Sequence, residues 1–141
     1  MTLDVAGINW LAVIVGAAVY FVVGAAWFAP GVFGKPWMEA IGFDDSKPRP
    51  QMNALSYAVP AVFYLIASAV TAILAKATGT DTVSEGVVLG LMVGVGYALT
   101  VTATDAVFDP NKPKPWNWFA ISGAYHLVAL VLVGMIIGAW Q

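Results

Sequence analysis

The sequence predicts an all-α polytopic membrane protein, a bundle of four transmembrane helices. Composition is the first reason: of the 141 residues, 60% are hydrophobic and 10% are charged, and the mean hydropathy is +0.82. Soluble proteins average about 45–50% apolar and about 25% charged residues. No linker rich in Ser, Gly or charge divides the chain, so residues 1–141 are predicted to form a single membrane domain.

Four mostly apolar windows are each long enough to cross a bilayer, because about 20 helical residues span a hydrocarbon core roughly 30 Å thick. The windows cover residues 8–29, 54–75, 86–107 and 116–140, with Pro-rich or polar stretches between them. Lipid satisfies no backbone polar groups, so each span must be helical. A soluble helical bundle would need charge on its outer faces, and the first window contains no charged residue.

Basic residues are distributed unevenly among the predicted loops, and such a bias sets the orientation of a membrane protein. Most of them lie in the first and third loops and only Lys76 lies on the opposite side, so the first and third loops are predicted to be cytoplasmic and both termini outside. The first and third loops hold Lys35, Lys47, Arg49, Lys112 and Lys114.

Several partners and chemistries lack any sequence support. A net charge of −2 offers no basic face for phosphates, so no nucleic acid partner is expected. There is no cysteine for disulfides or thiolate chemistry. Without a phosphate loop, a nucleophile elbow or a zinc motif, the sequence predicts no cofactor, metal or catalytic residue.

The pattern F-x-P followed by K-P-W occurs twice, at residues 28–37 and 108–116. Both copies follow a predicted span on the same side of the membrane. One interpretation is two tandem helix pairs in a parallel repeat, as some transporters have. The other is convergent loop chemistry, since Pro ends helices, Lys marks the cytoplasmic face and Trp anchors interfaces.

Glycines at a spacing of four lie along the third window, at Gly86, Gly90 and Gly94. Small residues at this spacing let transmembrane helices pack at close range. We therefore expect the third helix to be central in the bundle, although the same row suits self-association.

Five polar-tipped side chains are predicted to lie near the middle of the bilayer: Tyr20, Tyr64, Tyr97, Tyr125 and His126. Ionisable residues at that depth are rare and often mark ion or proton pathways. This layer is a candidate site on that basis. The alternative is structural, with a neutral His126 that hydrogen-bonds a tyrosine or a carbonyl and so joins two helices.

The end of the third window carries a second candidate site, a cytoplasmic mouth formed by Thr104, Asp105 and Asn117. Asp105 is an acidic residue near the membrane boundary and suits a cation or a small polar substrate. Threonine hydroxyls in helices often bond back to a carbonyl one turn earlier. The plainer interpretation is therefore helix capping, with a salt bridge from Asp105 to Lys112 or Lys114.

Motifs near the N-terminus resemble a family of small bacterial membrane proteins, domain of unknown function 1761. The resemblance implies a four-helix inner-membrane protein of unassigned activity and supplies no catalytic residues. Its motifs are Asn9-Trp10-Leu11-Ala12, Trp27-Phe28-Ala29-Pro30, Phe33-Gly34-Lys35 and Trp37-Met38.

Three functions are compatible with these features. The first is a small, oligomeric transport or channel-type protein built around the polar layer. The second is a non-catalytic accessory subunit that binds another membrane protein. The third is a membrane enzyme or a binder of lipid or quinone, which requires an open apolar cleft beside the polar layer.

Overall fold

The computed structural model describes residues 5–44, 46–48 and 51–140, and this part of the chain is helical with no strand. Four helices are long and apolar enough to cross a membrane: Trp10–Trp27, Ala54–Thr78, Val83–Phe108 and Pro115–Ala139. Each overlaps one predicted window. The prediction of an all-α, four-helix, multi-pass membrane protein is therefore confirmed.

We number the α-helices in chain order. They are α1 (Trp10–Trp27), α2 (Lys35–Ala40), α3 (Ala54–Thr78), α4 (Val83–Val93), α5 (Thr100–Phe108) and α6 (Pro115–Ala139). π-Helical turns occupy Pro30–Gly34, before α2, and Gly94–Leu99, between α4 and α5. The helix α4, the second π-helical turn and α5 together form the third span.

Side-chain caps start three of the spans, because the first N–H groups of a helix lack partners within it. Asn9 accepts from the backbone N–H of Ala12 at 3.2 Å and so caps α1. Asn53 and Thr82 form capping boxes at α3 and α4. The Asn9 amide also donates to the carbonyl of Trp140 at 2.9 Å, which joins the two ends of the chain at one end of the bundle.

The fourth span, α6, is the centre of the bundle. It packs against α1, α3 and the third span, whereas α3 and the third span meet only locally. In its most apolar window 44% of the residues are buried, compared with 22–28% in the other spans. The expectation that the third helix would be central is wrong, because the third span has extensive contact with α6 alone.

The glycine row of the third span lies against α6 inside the same chain. A Cβ added at Gly86 would collide with the carbonyl of Gly134, and one at Gly90 would lie 2.5 Å from the carbonyl oxygen of Leu130. At Gly94 it would lie 2.6 Å from the side chain of Leu127. The glycines thus let two backbones touch, which is the close packing that hydrocarbon surroundings require.

The first and third loops meet at the end of the bundle opposite the termini. The Lys114 backbone N–H donates to the carbonyl of Ala40 at 3.3 Å, and its ammonium lies 3.1 Å from the Glu39 carboxylate. The short helix α2 lies in the first loop, at this end of the bundle. Arg49 lies outside the described residues. The internal duplication stays a prediction, because only its first copy contains a π-helical turn and a short helix.

Replacement of Gly90 by alanine is expected to destabilise the bundle, since its Cβ would meet the backbone of Leu130 and Val131. Overpacking of this kind costs about 1–3 kcal/mol. The matched control is Gly96→Ala in the same span, where an added Cβ meets nothing within 4 Å. Thermal unfolding in detergent should show a clearly lower melting temperature for Gly90→Ala than for the wild type, and an unchanged melting temperature for Gly96→Ala. Equal stability of the two would contradict this packing.

Candidate functional site

Four of the five predicted polar side chains form one cluster between three helices. We call Tyr20, Tyr64, Tyr125 and His126 the tyrosine–histidine cluster. Tyr20 of α1 stacks on Tyr64 of α3 with ring centroids 4.3 Å apart, and the edge of Tyr125 from α6 meets Tyr20 at 5.6 Å. Tyr20 and Tyr125 are only 4% and 2% exposed. The cluster is therefore a packed aromatic core with polar tips.

Hydrogen bonds from this cluster connect α1 to α6. The Tyr20 hydroxyl and the Nδ1 of His126 are 2.7 Å apart. The Tyr125 hydroxyl donates to the backbone carbonyl of Tyr20 at 3.2 Å. One tyrosine of α1 thus receives two polar contacts from neighbouring residues of α6, which fixes the register of the two helices.

Two residues of α1 leave room for this arrangement. A Cβ at Gly24 would lie 2.7 Å from the Tyr125 hydroxyl oxygen, so the glycine makes space for that ring. At Gly16 it would lie 2.5 Å from the Ser68 hydroxyl oxygen. That hydroxyl instead approaches α1 and donates to the carbonyl of Val13 at 2.8 Å. Close contact of α1 with α3 and α6 holds the cluster together.

Tyr97 lies outside the cluster, contrary to the layer expected from the sequence. Its side chain is 72% exposed. The reason is local: Tyr97 belongs to the π-helical turn Gly94–Leu99, and π-helices close i→i+5 rather than i→i+4 hydrogen bonds. A count of residues along an ideal α-helix predicts the depth of this residue but not the face on which it lies.

A shallow groove of about 340 Å³ opens beside the cluster on the outer surface of the bundle, between α3 and the third span. Tyr20 and His126 lie at its bottom, while the exposed Tyr97 lies at its rim. Most of the remaining lining is apolar. The full lining is Tyr20, Ala67, Val93, Tyr97, Ala98, Val101, Thr102, His126 and Leu130.

The second ring nitrogen of His126, a residue that lines this groove, has no hydrogen-bond partner among the described residues. Only Nδ1 has a hydrogen-bond partner among the described residues. In that part of the chain no side-chain nitrogen or oxygen is both buried and without a partner. Nε2 is therefore not fully buried, and because His126 lines the groove we infer that this nitrogen is reached from it.

The predicted mouth is only partly assembled. Thr104 and Asp105 line a hollow of about 440 Å³ on the exposed side of α5, and Asn117 does not line it. Thr104 donates to the carbonyl of Thr100 at 2.9 Å. Lys112 lies 2.9 Å from Asp105 and 2.6 Å from Asp109. The polar groups of Thr104 and Asp105 thus bond to other groups of the same chain. This agrees with the plainer interpretation of the sequence, a threonine bonded to its own helix and a salt bridge between Asp105 and a lysine.

Several polar contacts near the cluster were not anticipated from the sequence. Ser68 and Ser122 are buried, and Ser122 accepts from the Trp37 indole at 3.2 Å. The Trp27 indole donates to the carbonyl of Ile121 at 3.1 Å. Thr102 lines the groove, but its hydroxyl donates to carbonyls of its own helix. For the two buried serines, the only signal in the sequence was their position inside apolar spans.

Four apolar spans around a buried cluster of tyrosine and histidine define a multi-pass α-helical membrane protein. The chain belongs to the family described as Protein of unknown function (DUF1761), whose sequence model matches residues 11–138. The family suggested by the N-terminal motifs is therefore confirmed. Comparison with curated proteins gave no match, and neither did comparison with solved structures.

Acid is expected to weaken the loop that follows α5. The Lys112 ammonium and the Asn111 backbone N–H both donate to Asp109, and they hold the pKa of its carboxyl below the ordinary value of about 3.9. A lowered pKa in the folded state means that the carboxylate stabilises the fold above the unfolded-state pKa. This contribution is lost as the pH falls through the folded-state pKa.

Asp109→Asn removes this effect. The melting temperature of the wild type in detergent should exceed that of the variant near neutral pH, and the difference should shrink in acid. A difference that is the same at every pH would show that the ion pair with Lys112 has no such role.

Proposed function

We propose that this protein binds a small, bilayer-soluble amphipathic molecule in the groove beside the tyrosine–histidine cluster. The observation that carries the proposal is that His126, whose Nε2 is neither fully buried nor hydrogen-bonded to a described residue, lines a mostly apolar groove. Ligand sites are typically apolar with a few polar groups that orient the ligand. The groove has this composition.

The position of the groove supports entry of the ligand from the membrane. It is lined by α1, α3, α6 and the third span at the level of the cluster, and no Asp, Glu, Lys or Arg lines it. A water-soluble ligand would have to cross hydrocarbon to reach it. A molecule dissolved in the bilayer reaches it by lateral diffusion.

The free-energy cost of placing an ionisable residue such as His126 inside a membrane-spanning helix also supports a functional role. Ionisable residues inside a membrane are expensive and commonly mark functional sites. Its bond with Tyr20 accounts for one ring nitrogen only. If the residue served purely to join α1 and α6, exposure of the second nitrogen in a groove would bring no benefit.

A transport or channel-type role is the alternative, supported by the depth of His126. It has less support because the rings of Tyr20 and Tyr125 fill the interior and are nearly inaccessible. A pathway for ions would need a second copy to enclose it. The exposed face of the third span, with Tyr97 and Thr100, suits such a homo-oligomer or contact with another membrane protein as an accessory subunit.

We infer a bacterial inner-membrane location with both termini outside. Contact between Lys114 and Glu39 supports a shared side for the first and third loops, which carry most of the basic residues. The bond between Asn9 and Trp140 supports a shared side for the termini. Under the positive-inside rule, the basic side is cytoplasmic.

A groove-filling substitution tests the binding proposal. Val101 lines the groove and is 67% exposed, so Val101→Trp adds bulk there with little strain on the core. Organic extracts of the purified wild-type protein should contain a membrane molecule in near-stoichiometric amount, detected by mass spectrometry. The variant should lose most of it.

Val95→Trp is the matched control. Val95 is 50% exposed in the same span and does not line the groove. This variant should retain the molecule at the wild-type level. Identical extracts from all three proteins would reject the binding proposal.

A further inference from the structure

The hydroxyl of Tyr20 determines which ring nitrogen of His126 carries the proton. A phenolic hydroxyl has one hydrogen to donate. Among the described residues, the only hydrogen-bond partner of this hydroxyl is Nδ1 of His126, at 2.7 Å. Tyr20 is 4% exposed, so water is not an alternative acceptor. The hydroxyl therefore donates to Nδ1.

A neutral imidazole has one donor nitrogen and one acceptor nitrogen. Since Nδ1 of His126 accepts from Tyr20, the ring proton lies on Nε2. Either tautomer leaves one hydrogen without an acceptor in the free protein. In the opposite tautomer it would be the hydrogen of the nearly inaccessible Tyr20 hydroxyl, whereas here it is on Nε2, which is not fully buried, so this tautomer is the less costly one. The groove is thus presented with an Nε2–H donor.

The groove disfavours both a charged ligand and a protonated His126. No carboxylate and no Lys or Arg lines the groove, and His126 contacts Tyr20 and Tyr125 rather than a charged group. A charged ligand or an imidazolium would be desolvated there without compensation from the protein. Two other hydroxyls belong to the groove lining: that of Thr102 already donates to carbonyls of Ala98 and Leu99, and that of Tyr97 is on a side chain that is largely exposed.

We propose that the ligand is an uncharged molecule with a carbonyl oxygen at one end of an apolar body, of the lipid-soluble quinone or ketone type, and that this oxygen accepts from Nε2–H of His126. This inference rests on the proposed function and specifies the ligand class. A groove of about 340 Å³ is large enough for one ring and the start of an alkyl chain.

The tautomer can be tested without any ligand, because His126 is the only histidine of the chain. Protein labelled with ¹⁵N-histidine and purified without a polyhistidine tag, in dodecyl maltoside, gives one pair of ring ¹⁵N signals. We expect a protonated Nε2 and an unprotonated Nδ1 at neutral pH. A proton on Nδ1, or on both nitrogens, would overturn the inference while leaving groove binding intact.

Tyr20→Phe removes the hydroxyl and should shift the tautomer equilibrium toward a mixture. Tyr57→Phe is the control, because Tyr57 is an exposed tyrosine of α3 outside the cluster and should leave the spectrum unchanged. If Tyr20→Phe does not fold, the wild-type spectrum alone decides.

Three probes with the same apolar body test the ligand class. 2-Decylcyclopentanone only accepts hydrogen bonds, 2-decylpyrrole only donates them, and decylcyclopentane does neither. Binding is measured in dodecyl maltoside after subtraction of partitioning into empty micelles. We expect the ketone to bind about 10-fold more tightly than either other probe, a difference of about 1.4 kcal/mol, and to shift the Nε2 signal.

Each outcome of the probe experiment has a distinct meaning. Equal affinity of the three probes, or preference for the pyrrole, would overturn the carbonyl inference and leave groove binding standing. Failure of every probe to bind would count against the proposed function and this inference together. Val101→Trp should abolish the ketone effect, and Val95→Trp should not.

Discussion

The close approach of the third span to α6 is the contact on which the rest of the bundle depends. Gly86 and Gly134 face each other across it, with room for neither to carry a side chain. Lipid gives no hydrophobic drive for helices to associate, so packing at this range supplies the attraction instead. Because α6 is held here on one side and by α1 and α3 on the other, Tyr125 and His126 are fixed relative to Tyr20.

The tyrosine–histidine cluster depends on this helix packing. Stacked rings from α1 and α3 exclude solvent from the interior, and the edge of Tyr125 closes the stack from α6. Polar atoms inside hydrocarbon need partners, and two bonds supply them between α1 and α6. One nitrogen of His126, Nε2, has no partner among the described residues and is not fully buried. In the function proposed above, Nδ1 joins two helices and Nε2 binds the ligand.

The sequence predicted the spans well because only length and apolar composition decide whether a helix crosses a bilayer. It predicted the centre of the bundle wrongly, since a glycine row shows that Gly86 and Gly90 pack closely but not how many neighbours their helix has. Counting residues from each membrane boundary predicted that Tyr20, Tyr64 and His126 lie at one level. Whether their side chains touch depends also on how each helix is rotated about its own axis, which the count does not give. Tyr97 differs for that reason, because a π-helical turn changes the rotation without a recognisable residue pattern.

The π-helical turn Gly94–Leu99 has a mechanical consequence for the groove. It forms one wall, in a span whose main support is α6 alone, while the opposite wall belongs to α3, which packs against both α1 and α6. The two walls of the groove are therefore supported differently, by one helix on the side of the third span and by two on the side of α3.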